Sequence, residues 1–185
     1  MLKLDDFKGK LAQISLQDNL EYLVDESGQL TIDDVSHKSD ILWIRGKKPI
    51  VGFSHAALWV RFQLVHDGDA AAELFLEDKW APIFHLELFH FHEGVLLRRK
   101  LDGQAVPFAE KDLDHRLPIF KLQVPRGSST FYAHYKSDNI LGSRLVLWDP
   151  EAFYKDRDRE RLYIRILLGF FIILPLYNAF FYITL

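Results

Sequence analysis

The sequence predicts an all-β fold, a jelly-roll β-sandwich, followed by one membrane-spanning α-helix. Short stretches of alternating apolar and polar residues recur between residues 57 and 148, and turn-forming residues separate them. This alternation is typical of strands that bury one face, and the turns are typical of antiparallel connections. The helix is predicted by residues 166–185, which contain no charged side chain. The predicted class is therefore a β-sandwich joined to a membrane.

Seven stretches are expected to form the strands of the sandwich. They are ALWVRFQLV, AAELFLE, PIFHLELFHFH, VLLRRKL, PIFKLQV, STFYAHYK and RLVLW. Spacers such as His92-Glu93-Gly94 and Asp102-Gly103 carry the residues that tight turns require. Upstream, LEYLV and ILWIR are expected to add strands and loops. We therefore divide the region into an N-terminal extension that packs on the sandwich, residues 1–50, and a jelly-roll core, residues 51–149.

The C-terminal segment reads as one long helix that crosses the bilayer. Asp149 is suited to cap its start and Pro150 to occupy its first position. We expect a charged juxtamembrane helix over residues 150–165 and the membrane span over residues 166–185. At about 1.5 Å of rise per residue the span covers the roughly 30 Å hydrocarbon core. Pro175 and Asn178 favour a place in a multi-helix bundle, because neighbouring helices then supply hydrogen-bond partners.

Composition excludes several classes of protein. The formal charge of −3 gives no phosphate affinity, so no nucleic-acid partner is expected. The chain has no cysteine, which excludes disulfides, thiol nucleophiles and Cys-based zinc sites. Residues 1–10 are too highly charged for an export signal, and no signal peptide is expected. No serine lies in a Gly-x-Ser-x-Gly elbow and no glycine-rich phosphate loop occurs, so we expect neither an enzyme nor a cofactor.

His90 and His92 are the strongest metal-ligand pattern in the sequence. Two histidines at i and i+2 of a strand point to one face, as in the metal sites of cupin jelly rolls. The glutamate that should follow them is absent, because Leu96 and Leu97 stand at those positions. We therefore expect no metal site and keep a cupin-like metal-binding jelly roll as the least favoured alternative.

A mixed aromatic and polar strand face is the best candidate for ligand binding. One face of ALWVRFQLV is predicted to be core, and the other carries Trp59 and Arg61. An aromatic ring beside hydrogen-bonding groups suits a sugar ring or another amphipathic ligand, although a Trp59–Arg61 cation–π pair would also explain the pattern. Equivalent faces on other strands add the remaining candidates, which are His85, Glu87, Tyr132, His134 and Arg144.

The order of these motifs resembles a known bacterial family. LWVRF, ELFLE, HLELFHF, the turn at Gly94, VPF, His115-Arg116, FKLQVPRG, FYAHYKS and LVLWDPEAF follow one another as in the extracellular domain, type 2, of seven-transmembrane receptors with diverse intracellular signalling modules. LLGFFIILPLYNAFFYITL is similar to the first membrane helix of those receptors, with Gly169 and Tyr177-Asn178 at the matching places. The resemblance covers residues 16–185.

The resemblance implies an extracytoplasmic, carbohydrate-binding-module-like domain that senses a carbohydrate or another small molecule. It adds Arg116 to the ligand candidates, and it makes Gly169, Pro175, Tyr177 and Asn178 the residues expected to pack against the other membrane helices. It also implies further spans and a cytoplasmic output domain beyond this sequence, although arginines flanking the span favour the opposite orientation. An envelope protein–protein interaction module, including a homodimer, remains the alternative function.

Overall fold

The computed structural model describes residues 2–4, 12–38, 40–45, 49–51, 56–80, 83–137 and 141–184. Within these ranges it contains short and long strands and two α-helices. The strands are β1 (Leu2–Lys3), β2 (Gln13–Ser15), β3 (Leu20–Asp25), β4 (Ile44–Arg45), β5 (Ile50–Val51), β6 (Ala57–His66), β7 (Ala72–Asp78), β8 (His85–His92), β9 (Val95–Asp102), β10 (Ile119–Val124), β11 (Gly127–Lys136), β12 (Leu141–Gly142) and β13 (Leu145–Trp148). The helices are α1 (Ile32–His37) and α2 (Pro150–Thr184).

Two sheets form a sandwich. The large sheet has the order β4-β3-β6-β11-β8-β9, with β1 added in parallel beside β6, and the small sheet has the order β10-β7-β13-β2. All other pairings in these two sheets are antiparallel. A separate short pair joins β12 to β5. The β-sandwich and the C-terminal helix are thus confirmed, and β2 and β3 belong to the sheets themselves.

The main core lies between the two sheets. The predicted core face of β6 is confirmed, because its alternate residues are almost completely buried in this core. These residues are Leu58, Val60, Phe62 and Leu64. Leu76 and Leu147 face them from the small sheet. Burial of apolar side chains on this scale, at roughly 25 cal/mol per Å², is the main force that holds the two sheets together.

A tight turn joins β8 to β9. Glu93 and Gly94 both have positive φ, 48° and 83°. Two consecutive residues of this kind define a turn whose twist matches that of the flanking strands, and glycine adopts the second position without steric cost. The predicted His92-Glu93-Gly94 turn is therefore a two-residue hairpin. Ser137-Asp138-Asn139 also has the composition of a turn, and this segment lies partly outside the described residues.

Helix α2 runs unbroken from Pro150 to Thr184 and contains Pro175. Its apolar part is long enough to cross a membrane, with a mean hydropathy of 2.1 in its most apolar window. The chain divides into two compact units, residues 1–149 and residues 150–185. Only the first unit contains the strands.

A buried polar network ties β7 to β11 and β13. Asp78 is 1% exposed, and its carboxylate accepts hydrogen bonds from the Tyr135 hydroxyl at 2.7 Å and from the backbone N–H groups of Trp80 and Arg144 at 2.8 and 2.9 Å. Ser143 lies 2.8 Å from the Tyr135 hydroxyl. A buried carboxylate is tolerated only when such donors replace water. Burial nevertheless raises the pKa of Asp78 to about 6.

Removing the Tyr135 hydroxyl is expected to destabilise the fold. Tyr135→Phe leaves the ring in the core but takes one donor from the buried carboxylate, which costs about 1 to 3 kcal/mol. Urea unfolding of the chain in detergent micelles, followed by tryptophan fluorescence, measures this loss. Tyr163→Phe, at an exposed position of α2, is the control and should leave the free energy of unfolding unchanged. Equal stability of both variants would show that the Tyr135 hydroxyl contributes nothing to the stability of the fold.

Candidate functional site

The outer face of the large sheet gathers most of the predicted ligand residues. Trp59, His134 and Glu87 lie opposite one another on β6, β11 and β8, and Arg61, Tyr132 and Phe89 form the adjacent row. Residues directly opposite in antiparallel strands share a face and touch. The register therefore brings together five of the predicted candidates, Trp59, Arg61, Glu87, Tyr132 and His134.

The connection between β3 and β4 covers this face. Its helix α1 starts with a reciprocal capping box, in which the Thr31 hydroxyl accepts from the Asp34 N–H and the Asp34 carboxylate accepts from the Thr31 N–H. Such a box stabilises even a short helix start. The connection and the sheet form a second apolar cluster, here called the outer-face cluster: Val35, Trp59, Phe89, Phe91 and Tyr132, with Leu23, Leu30, Ile32, Ile41 and Trp43 packed against them.

Trp59 is not an open platform for a ligand. Its indole ring is 1% exposed and stacks on the His134 ring, with ring centroids 4.0 Å apart and an interplanar angle of 13°. The indole Nε1 of Trp59 and the Nε2 of His134 are buried and have no hydrogen-bond partner among the described residues. Unpaired polar atoms in an apolar cluster are costly, and a polar group that entered there would satisfy them.

A buried carboxylate lies beside these rings. Glu87 is 6% exposed, forms an ion pair with Arg99, and has His134 Nδ1 3.8 Å from its Oε2. Burial alone would raise the pKa of Glu87, but the His134 and Arg99 interactions outweigh it and lower that pKa. Glu87 is therefore ionised at neutral pH. It holds Arg99 against the face, and the Arg99 guanidinium lies 5.6 Å from the centre of the Phe89 ring.

An open polar cleft adjoins the covered region. The polar cleft has a volume of about 390 Å³ and is lined by Asp18, Asn19, Leu20, Glu21, Arg45, Arg61, Phe62 and Gln63. Glu21 accepts from the Nε of Arg45 at 2.8 Å and from the Nε of Arg61 at 2.6 Å. The Arg45 hydrogen bond lowers the pKa of Glu21, burial opposes this, and Arg61 lowers it further. The cleft thus presents an ionised carboxylate and two guanidinium groups.

Arg61 also stacks on an aromatic ring, but not on its neighbour in β6. Its guanidinium carbon lies 4.3 Å from the centre of the half-buried Trp43 ring. Trp43 in turn contacts Tyr132, with ring centroids 6.0 Å apart. The cation–π pair considered for Trp59 is therefore formed by Trp43, which reaches Arg61 from the β3–β4 connection.

The other predicted ligand residues lie elsewhere or apart. His85 is half-buried at the start of β8, on the same strand face as Glu87. Arg116 is exposed and lines a separate cleft of about 370 Å³ with Trp80. Arg144 is exposed between β12 and β13, where its backbone N–H bonds to Asp78. Neither arginine belongs to the outer-face cluster or lines the polar cleft.

His90 and His92 face the interior of the sandwich and share one hydroxyl. The Ser129 Oγ lies 3.1 Å from His90 Nε2 and 3.3 Å from His92 Nδ1. His90 also stacks on Phe131, at 4.3 Å between ring centroids. Among the described residues no group of three or more His, Asp or Glu side chains is placed to hold a metal ion.

The predicted membrane-packing residues all lie on α2. A Cβ added at Gly169 would meet nothing within 4 Å, and Tyr177 is 58% exposed. Pro175 lies inside the helix, and Asn178 is exposed. Their packing against other membrane helices remains a prediction.

Comparison with known proteins identifies the domain. The sequence profile of the family described as "7TMR-DISM extracellular 2" matches residues 17–149, which is most of the chain. The chain belongs to this family. No curated protein sequence matches it. A solved structure described as a carbohydrate-binding module of the β-sandwich superfamily aligns with 79% of the chain at 12% identity and a TM-score of 0.31. The chain covers 58% of that structure's length.

Membership of the 7TMR-DISM extracellular 2 family fixes the class of protein. It is a family of extracellular, sensor-type domains and not an enzymatic family. Together with the candidate span in α2, it describes a membrane protein whose N-terminal domain lies outside the membrane. The matched segment starts at residue 17 and so includes β3 and α1. The cover of the outer face is therefore part of the family domain.

Several residues of the site were missed in the sequence. Glu21, Trp43 and Arg45 line or border the polar cleft, yet each lies in a segment interpreted as a packed extension. The sequence does contain a signal for the cover, since Thr31 followed by Asp34 is the pattern of a capping box. Nothing in the local pattern of Glu21 or Arg45 pairs them, because their contact depends on the register of β3 and β4.

Protonation of His90 is expected to destabilise the fold in acid. Burial, and then the charges of His92 and Arg98, lower the pKa of His90 to about 4, whereas an unfolded histidine titrates near 6.5. The unfolded state therefore binds more protons between these values, and the contribution of His90 to stability is lost as the pH falls from about 6.5 to 4. Between pH 7 and pH 5 the loss should reach about 2 kcal/mol.

The comparison of wild type with His90→Gln isolates this effect. Urea unfolding in detergent micelles at pH 7 and pH 5 should show a smaller acid-induced loss in His90→Gln, in which glutamine retains a partner for Ser129. His37→Gln, at an exposed helix end, serves as the control and should follow the wild type. An identical loss in all three proteins would mean that His90 titrates normally.

Proposed function

We propose that this domain senses a small polar ligand of the carbohydrate class at the polar cleft of its outer face. The observation that carries the proposal is the Glu21–Arg61–Arg45 cluster beside Trp43. Sugars present hydroxyls that donate and accept hydrogen bonds around an apolar ring face. A carboxylate, two guanidinium groups and the Gln63 amide supply both kinds of partner, and Trp43 supplies an aromatic ring.

The size of the polar cleft also supports this proposal. Small-molecule sites usually enclose about 300 to 1,000 Å³, and the polar cleft falls at the lower end of this range.

We also infer that the sandwich is a jelly roll. The chain passes from one sheet to the other after β1, β2, β6, β7, β9 and β10 and again between β11 and β13, and repeated crossing of this kind is typical of that fold.

The polar cleft lies between the sheet and its cover, so ligand binding there would change how the two parts are arranged. Arg61 belongs to β6. Trp43 lies in the β3–β4 connection that covers the sheet, and Arg45 lies in β4, which follows that connection. A ligand that contacts both parts favours one arrangement of the cover on the sheet. Signalling through membrane helices requires such a difference in affinity between two states.

A second candidate function is self-association through β9. This strand ends the large sheet, so one of its edges has no strand partner among the described residues. Val95, Leu96 and Leu97 are 64%, 45% and 52% exposed. An unpaired edge with apolar side chains favours pairing with the same edge of a second copy.

Loss of the Arg61 guanidinium is expected to weaken sugar binding. Titration calorimetry of the chain in lipid nanodiscs with glucose, galactose, N-acetylglucosamine and their disaccharides identifies a sugar that binds. Arg61→Gln should lower the affinity for that sugar about tenfold, since a hydrogen bond from a charged donor contributes about 1.5 to 3 kcal/mol. Arg126→Gln, which loses only an exposed ion pair with Asp69, should bind normally. Unchanged binding by Arg61→Gln, or no binding by any sugar, contradicts the proposal.

Self-association through β9 is tested by its concentration dependence. Sedimentation of the chain in detergent micelles should show dimers that Leu96→Asp removes, because a charge at the joined edge would be buried. Leu42→Asp is the matched control, since Leu42 is 85% exposed and lies in the β3–β4 connection. Monomers at every concentration, or dimers that persist in Leu96→Asp, exclude this second function.

A further inference from the structure

The gap between the two sheets opens at their edge strands into a further cleft. This edge cleft has a volume of about 360 Å³ and lies between β8 and β9 of the large sheet and β10 of the small sheet. It is lined by Ala71, Leu88, His90, Leu97, Arg98, Lys100, Asp112, Phe120, Lys121, Leu122, Gln123 and Pro125. It is separate from the polar cleft, because no residue lines both clefts.

Two basic side chains of the edge strand β9 point into this gap. Lys100 lies opposite Leu88, and Arg98 lies opposite His90, so both basic residues share the inner face of the sheet. Their side chains are 36% and 42% exposed. An edge strand that faced its core in the ordinary way would place apolar residues here.

Among the described residues that line the edge cleft, Asp112 is the only one with a carboxylate. It accepts from Lys100 Nζ at 2.9 Å, from Arg98 Nη2 at 3.2 Å and from the Lys121 backbone N–H at 3.1 Å. Arg98 also donates from Nη1 to the Lys121 carbonyl oxygen at 3.0 Å. These bonds occupy the outer edge of β10 and fix the cations at the mouth of the cleft.

The lining has an excess of positive charge over an apolar floor. Arg98 and Lys100 face one carboxylate, Asp112, and His90 is neutral near pH 7. The guanidinium and ammonium groups have more N–H donors than Asp112 and the Lys121 carbonyl accept. Leu88, Leu97, Phe120 and Leu122 form the apolar part of the lining. A ligand that fits has an anionic group at one end and an apolar body.

We propose that the edge cleft is a second ligand site, which binds a small carboxylate with an apolar body. The carboxylate pairs with Arg98 and Lys100 at the mouth, where a charge-assisted bidentate contact with the guanidinium is available. The apolar body lies on Phe120 and Leu122. This site is independent of sugar binding at the polar cleft, since it lies on the inner side of the sheet.

The competition between Asp112 and the ligand gives the proposal a distinctive consequence. Both carboxylates would share the same cations, so the Asp112 charge opposes binding. Asp112→Asn keeps an oxygen that accepts the Lys121 N–H but removes the competing charge. This variant should therefore bind the ligand more tightly, whereas loss of a purely structural contact would weaken binding or leave it unchanged.

Phenylacetate is a suitable probe, with phenylacetamide as its neutral counterpart of the same shape. Titration calorimetry uses the full chain in lipid nanodiscs, with empty nanodiscs as the blank. Phenylacetate should bind at least about tenfold more tightly than phenylacetamide, because only the acid carries the charge that Arg98 and Lys100 recognise. Equal affinity of the two probes, or no binding of phenylacetate at millimolar concentration, overturns the proposal.

Variants locate the bound phenylacetate. Arg98→Gln and Lys100→Gln should each lower the affinity for phenylacetate about tenfold, and Asp112→Asn should raise that affinity several-fold. Arg126→Gln, which loses an exposed ion pair with Asp69 and lines neither cleft, is the matched control and should leave the affinity unchanged. Circular dichroism checks the fold of each variant, and Lys100→Gln supplies the result if Arg98→Gln does not fold. Affinity that is unaffected by both cation variants, or equally reduced by Arg126→Gln, overturns the proposal.

Discussion

The structure depends on strand β6 being covered on both faces. Its inner residues, such as Leu58 and Phe62, form the core between the sheets, and its outer residue Trp59 is as deeply buried as they are. A strand in an antiparallel sandwich usually leaves one face to water. Here the β3–β4 connection provides a third layer, in which the capped helix α1 places Val35 on the outer face. The polar groups of that face are therefore held in a partly dry environment.

The third layer determines where polar chemistry can occur. Beneath it, Glu87 is tolerated only because Arg99 and His134 compensate for lost hydration. At its margin, Glu21 and Arg61 keep contact with water and still lie against Trp43. Charged groups at such a margin are less screened than on an open surface. A ligand bound at the margin, as we propose, would touch both layers and would therefore favour one arrangement of the two layers over another.

The strands and the main core could be predicted from the sequence, and the cover could not. The period-two pattern of β6 distinguishes Leu58 from Trp59, but it does not show whether a second layer covers Trp59. The Thr31-x-x-Asp34 capping box marks α1, yet a helix of this length gives too short a pattern to indicate what it packs against. Glu21 and Arg45 meet only because β3 pairs with β4. Contacts that depend on register between distant segments leave no local trace in a sequence.

Strand β9 shows how a departure from pattern can carry information. Its RRK segment would ordinarily be interpreted as a solvated edge, and inward-pointing charges do protect edges against unwanted pairing. To protect an edge strand against pairing with another strand, a charged side chain only has to be costly to bury. Such protection does not require an apolar floor beneath Arg98 and Lys100, nor a single carboxylate shared between them. Cations that face a partly dry gap with too few anions create a positive potential there, and a positive potential above apolar side chains selects amphipathic anions.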